Sequence, residues 1–137
     1  MGRFVRCGSF GFTAGRAKPG RFTQCRWESS VRPVRVGICG LGTVGGGTFN
    51  VLKRNAEEIE RRAGRGIEVA QIALRSRNPQ CEIGDTPITN DVFEVANDPD
   101  VDVVIELIGG YTVARDLVLK AIDNGKHVVT ANKALLA

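Results

Sequence analysis

The amino-acid sequence predicts an α/β domain built on a doubly wound, mostly parallel sheet. Three observations predict it. Short apolar runs alternate with segments of helical period in the order β-α-β-(β)-α-β-α-β, the pattern that builds parallel sheets. The first run, Val34–Cys39, leads directly into Gly40-Leu41-Gly42-Thr43-Val44-Gly45, which has G-x-G-x-x-G spacing. A later run, Val101-Asp102-Val103-Val104-Ile105-Glu106-Leu107-Ile108, is almost continuously apolar, as a parallel strand covered on both faces should be.

The elements follow from local chemistry. Pro33 marks a boundary, and the ordered domain is expected to begin at Val34, so that residues 33–137 form one domain. After the glycine loop, Val44, Thr48, Val51, Leu52, Ala56, Ile59 and Ala63 recur at helical spacing, and Gly64 and Gly66 end that helix. Residues 67–74 read as a second strand that ends on Arg75-Ser76-Arg77-Asn78-Pro79, a turn. Residues 80–87 are polar and loop-like, and Pro87-Ile88-Thr89 is at most a short strand. Asp91 is placed to cap a small helix through Ala96, ended by Asn97-Asp98-Pro99. Gly109-Gly110 closes the strand at 101–108. Val113, Leu117, Ala121 and Ile122 then mark a helix that stops at Asn124-Gly125. Lys126-His127-Val128-Val129-Thr130 is a further strand, followed by the start of another helix.

Residues 1–32 are unlike the rest. They hold seven of the 19 basic residues but only one acid, Glu28, which leaves 12 bases and 14 acids for residues 33–137. The net charge of +4 therefore belongs to the tail, and gives no reason to assign nucleic-acid binding to the fold. The tail lacks the apolar core of a secretory signal, and it is Gly-rich where organelle-targeting peptides are Ser-rich. It is expected to be a disordered basic segment or a misassigned start. A nucleic-acid-binding arm, with Phe4, Phe10, Phe12, Phe22 and Trp27 between the bases, is the sharper alternative, but no recognised module accompanies it.

Composition narrows the chemistry. At 137 residues with 42% hydrophobic and 25% charged residues, the chain has room for one soluble domain with a real core. No apolar run approaches the ~18 residues of a membrane span. Cys7, Cys25, Cys39 and Cys81 show no metal-ligand spacing, and Cys39 reads as a buried, reduced thiol in the first strand. His127 is the only histidine, and it reads as the start of a strand rather than a catalytic base.

In its strand–turn–helix context the glycine loop is the fingerprint of a Rossmann-type dinucleotide site. Gly40 would make the tight turn, Gly42 would let the backbone approach a pyrophosphate, and Gly45 would let helix and strand pack closely. The pyrophosphate would lie on the unpaired N–H groups of the helix N-terminus. An NAD-preferring site places a carboxylate at the end of strand two, for the ribose 2′-hydroxyl. Arg75 stands there instead, and a guanidinium would hold the 2′-phosphate of NADP. NADP is therefore expected, with NAD still open, because Arg75 and Arg77 also read as solvated loop charges. Gly109 and Gly110 read equally as a ligand-facing approach or as a plain turn.

Three stretches together resemble the N-terminal part of the homoserine dehydrogenase family. They are Val36-Gly37-Ile38-Cys39-Gly40-Leu41-Gly42-Thr43-Val44-Gly45, Val103-Val104-Ile105-Glu106-Leu107-Ile108-Gly109-Gly110, and Gly125-Lys126-His127-Val128-Val129-Thr130-Ala131-Asn132-Lys133-Ala134-Leu135-Leu136-Ala137. The resemblance spans residues 34–137, and the last stretch is the most specific, since generic dinucleotide-binding domains lack T-A-N-K-A-L. It implies a reversible hydride transfer between L-homoserine and aspartate 4-semialdehyde, serving threonine, methionine and isoleucine synthesis in a cytoplasmic homo-oligomer. It also implies that Gly42, Thr43 and Val44 contact the cofactor, that Gly109 and Gly110 border the nicotinamide ribose, and that Lys133 stands at the junction of cofactor and substrate as a catalytic residue. A lysine can take the hydroxyl proton if burial or neighbouring cations lower its pKa from ~10.4 toward neutrality.

The family's substrate-binding and dimerising region is expected to follow this segment, so the sheet is expected to be incomplete. The 137 residues alone are expected to bind dinucleotide weakly or not at all, and not to turn over homoserine. The rival readings are the cofactor domain of an aspartate dehydrogenase-like enzyme and a non-catalytic redox sensor.

Overall fold

In the computed structural model, residues 32–75 and 81–135 are described, and β1 (Val34–Cys39) lies at the centre of the sheet. The readings of Ser76, Arg77, Asn78 and Pro79, of residues 1–31, and of Leu136 and Ala137 lie outside the described residues. β2 (Ile67–Ala73) flanks β1 on one side and β4 (Val103–Glu106) on the other. β3 (Ile88–Thr89) and β5 (His127–Thr130) form the edges, giving the order β3-β2-β1-β4-β5 with every pairing parallel.

Two apolar layers cover the sheet. On one face Val36, Ile38 and Ile72 pack with Phe49 of α1 (Thr43–Arg54). On the other, Cys39, Ala73 and Val104 pack with Val95 of α3 (Val92–Asn97) and with Leu117 and Ala121 of α4 (Thr112–Asp123). Helices on both faces make the sheet doubly wound, the α/β fold that the sequence predicts.

The alternation along β2 needs a correction to bring its side chains to these layers. Val36 pairs with Val69 but Gly37 pairs with Gln71, so Ala70 is an extra residue on β2. With that bulge Val69, Ile72 and Leu74 all reach the α1 face, whereas strict alternation would send Val69 and Ile72 to opposite faces. Gly37 has a different role. A Cβ on it would lie 2.2 Å from Val95 Cγ1, so α3 sits directly on the backbone of β1.

Three sequence readings change. The helix read as continuous from Val44 to Ala63 divides at Asn55, whose φ of −104° and ψ of 17° leave the helical region. Its N–H still reaches Val51 O at 3.0 Å, and its carbonyl accepts from Ile59 at 2.9 Å, so α2 (Ala56–Ala63) continues as a kinked extension. The strand read over 101–108 is ladder-paired only at Val103–Glu106. The helix expected after β5 is a single 3-10 turn over its described part, Lys133–Leu135. The stops behave as their chemistry dictates: Gly64 takes φ 74° after α2, and the Asp91 carboxylate accepts the Phe93 N–H at 2.9 Å to cap α3.

Candidate dinucleotide-binding site

Chain order reverses between β1 and β4, and at that switch point the carboxyl ends of β1, β2 and β4 open onto a cavity of about 730 Å³. Ligands of doubly wound sheets lie at this position, and the volume is within the usual range for small-molecule sites. Gly40, Leu41, Gly42 and Thr43 form one wall, and Leu107, Ile108 and Gly109 form another.

The three glycines differ in ways that matter to the cavity. Gly40 has φ 99°, its N–H reaches Ala73 O at 2.8 Å, and a Cβ there would stand 2.7 Å from Leu107 O. Gly45 lies behind the loop, where a Cβ would come within 2.0 Å of Gly40 O. At Gly42 a Cβ would meet nothing within 4 Å. The chain thus turns at Gly40, packs at Gly45 and leaves open space beside Gly42. Gly42 is also the N-cap of α1, and the first turn carries no acid. The positive end of the helix dipole therefore lies beside the cavity with no carboxylate of its own to neutralise it.

Arg75 is exposed at the end of β2 and lines the same cavity. The cavity thus gathers Gly40, Leu41, Gly42, Thr43, Arg75 and Gly109 of the expected site residues. Val44, Gly45, Gly110 and Lys133 are not in its lining. Val44 points outward and is 60% exposed, and Gly45 is buried. Gly110, with φ 102°, is exposed beyond the rim. Its carbonyl accepts the Asn132 side-chain N–H at 2.6 Å, which ties its loop to the residue before Lys133. Lys133 itself is exposed in the 3-10 turn.

Sequence reading missed two contributions. Asn90, Asp91, Val92 and Phe93 complete the wall near Arg75. They reach it because β3 pairs parallel to β2 and so delivers its following loop to the same edge; residue 91 read only as a helix cap. The second is Glu106, the one fully buried charged side chain among the described residues. Its signal was present in the sequence, a carboxylate near the end of an otherwise apolar strand. Burial, reinforced by the nearby Glu106 charge, pushes the Cys39 thiol up to about 12, which leaves it protonated and inert at neutral pH. Among the described residues no group of three or more His, Cys, Asp or Glu side chains is placed to hold a metal ion, and no helix is long and apolar enough to cross a membrane.

The residues fit a dinucleotide. Backbone without a side chain faces the cavity at Gly42, a helix N-terminus lies beside it, and the Arg75 side chain lines the same cavity. Fold and site together define a Rossmann-type dinucleotide-binding domain.

A family model described as "Homoserine dehydrogenase, NAD binding domain" matches residues 40–137. Among curated relatives, the homoserine dehydrogenase of Pseudomonas aeruginosa is 77% identical over 107 residues, covering 78% of this chain and 25% of its own length. That of Methylobacillus glycogenes is 58% identical over 109 residues, covering 78% and 26%. A crystal structure of a homoserine dehydrogenase from Thiobacillus denitrificans superposes with a TM-score of 0.71 at 56% identity, covering 77% of this chain and 25% of that one. The chain belongs to the homoserine dehydrogenase family, within its NAD-binding domain, and its cofactor class is a nicotinamide dinucleotide. It spans about a quarter of the length of the curated relatives it matches.

Proposed function

We propose that this chain is the dinucleotide-binding part of an enzyme that interconverts L-homoserine and aspartate 4-semialdehyde with NADP(H), in a cytoplasmic homo-oligomer. The observation that carries the reading is the cavity at the switch point, walled by the glycine loop and edged by Arg75. Residues 33–137 act as one domain whose loop binds the pyrophosphate through backbone N–H groups. Arg75 holds the 2′-phosphate by charge-assisted bonds, while NAD, lacking that phosphate, gains nothing from the guanidinium.

When bound, the nicotinamide accepts or returns the hydride. The protein's part is the proton. As the hydride leaves C4 of homoserine, the C4 hydroxyl proton must pass to a base, and in reduction it must return to the new alkoxide. Lys133 takes that role, and the Asn132–Gly110 bond supports it by joining the loop of Lys133 to the 109–110 loop beside the cavity. The chain spans about a quarter of the length of its curated relatives, and alone it binds dinucleotide weakly or not at all and does not turn over homoserine. The curated relatives, named homoserine dehydrogenase, favour neither an aspartate dehydrogenase-like domain nor a redox sensor.

Affinities of the complete polypeptide for NADP and NAD, measured before and after Arg75→Ala, test the cofactor. NADP should bind more tightly, and the substitution should weaken it by roughly 10- to 100-fold, the worth of a hydrogen bond to a charged group, while sparing NAD. Tighter binding of NAD, with no response of either ligand to Arg75→Ala, overturns the assignment. Lys133→Ala, tested in the complete polypeptide that carries this sequence, should lower kcat by roughly 10²- to 10⁴-fold with dinucleotide affinity kept. Near-normal turnover removes Lys133 from the chemistry.

A further inference from the structure

Glu106 is fully buried at the carboxyl end of β4. Removing a carboxylate from water costs several kcal/mol unless its oxygens are paired, and an apolar side chain would fill the same volume at no such cost. Both oxygens are paired here. One accepts the Ile108 N–H at 2.7 Å, and the other accepts the Thr130 hydroxyl at 2.5 Å. The two donors stand at the starts of two different loops.

The bonds continue outward from Thr130. Its hydroxyl oxygen accepts the Asn132 N–H at 3.0 Å. The Asn132 side chain then donates to Gly110 O at 2.6 Å and accepts the Ala134 N–H at 3.2 Å. Glu106, Thr130, Asn132 and Gly110, with the backbone from 106 to 110, therefore close a ring. Strand pairing ends at Glu106 and Thr130, and one longer backbone bond, from Ala131 N–H to Glu106 O at 3.3 Å, lies beyond it. Past that point, side-chain bonds join the two loops.

We infer that Glu106 is a positioning residue: its buried carboxylate locks the 107–110 loop against the 131–134 loop, and so fixes Gly110 and Lys133 relative to each other where the reading above places the nicotinamide. The inference rests on the functional reading proposed above. A carboxylate suits the task because it accepts from both donors at once. A glutamine keeps the shape and the Ile108 bond, but presents an N–H group to a hydroxyl that must donate.

Amide hydrogen exchange in this chain tests the lock without any ligand. Glu106→Gln should speed exchange about tenfold at Asn132 and Ala134, the equivalent of one lost hydrogen bond, although Glu106 touches neither amide. Ile38 in β1 should be unchanged. Thr130→Val, which removes the hydroxyl but keeps the shape, should do the same, and Thr130→Ser should restore wild-type exchange. This pair decides the matter if Glu106→Gln fails to fold. In the complete polypeptide, Glu106→Gln and Thr130→Val should lower kcat by roughly 10²-fold, as expected of a misplaced reacting group, with KM for the dinucleotide held and Thr130→Ser near wild type. Unchanged exchange at Asn132 and Ala134, or equal losses in Thr130→Val and Thr130→Ser, overturns the inference alone. Absence of dinucleotide binding by the unsubstituted complete polypeptide overturns the reading of the site, and this inference with it.

Discussion

At Gly45 a Cβ would stand 2.0 Å from the Gly40 carbonyl oxygen, so α1 and the loop before it meet through backbone atoms. Two residues further along the same helix, at Gly47, a Cβ would meet nothing within 4 Å. The pair separates packing from propensity. Alanine is better than glycine inside a helix by about 1 kcal/mol, so Gly47→Ala should raise the urea midpoint. Gly45→Ala gains the same propensity, but must push the loop aside at a cost of about 1–3 kcal/mol. It should lower the midpoint and weaken dinucleotide binding, because the displaced backbone is that of Gly40 at the cavity wall. If both alanines stabilise alike, the close approach at Gly45 is not a constraint. Cys39, one residue before the loop, is not poised to react: burial and the nearby Glu106 charge hold its thiol well above neutrality, and it donates only a long bond to Val92 O, at 4.0 Å.

Among the elements, the seat of α3 on β1 is the tightest fit. Val95 Cγ1 occupies the space that a side chain at Gly37 would need. Gly37→Ala should destabilise the fold by about 1–3 kcal/mol through overpacking. Combined with Val95→Ala it should cost less than the sum of the two single changes, since contacting residues couple. Denaturant midpoints of the four proteins in that cycle measure this, and strict additivity would place the conflict elsewhere. Most elements were legible in the sequence because their signals are local: the apolar run of β1, the Asp91 cap, and the glycine stops at Gly64 and Gly125, with φ 74° and 73°. The glycine wall of the cavity was legible for the same reason. What escaped depends on placement in space. The kink at Asn55 has helical period on both sides, the bulge at Ala70 shows only in the register with β1, and residues 90–93 reach the cavity only through the β2–β3 pairing. Glu106 was visible as a residue, but its partner Thr130 is 24 positions away and meets it only where β4 pairs β5.

Across the whole molecule the two edges of the sheet are built differently. The carboxyl edge is open and lined with backbone, and the amino edge is held by charge. There the Asp102 carboxylate accepts the Arg35 N–H at 2.9 Å and the Arg32 guanidinium at 2.5 Å, while Lys126 donates to Asp98 O and Val101 O, anchoring the turn between α3 and β4. The backbone bond from Arg35 is the main cause holding the Asp102 carboxyl below its usual range; burial opposes it as the next-largest effect, and the Arg32 and Lys126 charges add to the lowering. A carboxyl depressed in the folded state is anionic there at pH values where the unfolded chain has already bound a proton. Its contribution is therefore fully present above the unfolded value of about 3.9, and is lost as pH falls through the lower folded value. The window is acidic, below about pH 4, and neutral pH should show no dependence from this group. Asp102→Asn keeps an acceptor for Arg35 but has no charge to lose. It should be less stable than wild type at pH 7, and should lose less stability between pH 5 and pH 2. Because the Asp102 side chain is 36% exposed, salt should weaken the Arg32 part of the effect and leave the backbone part. Urea midpoints measured across that range in low and high salt give the comparison. Parallel pH profiles for wild type and Asp102→Asn would remove Asp102 as a source of acid sensitivity at this edge.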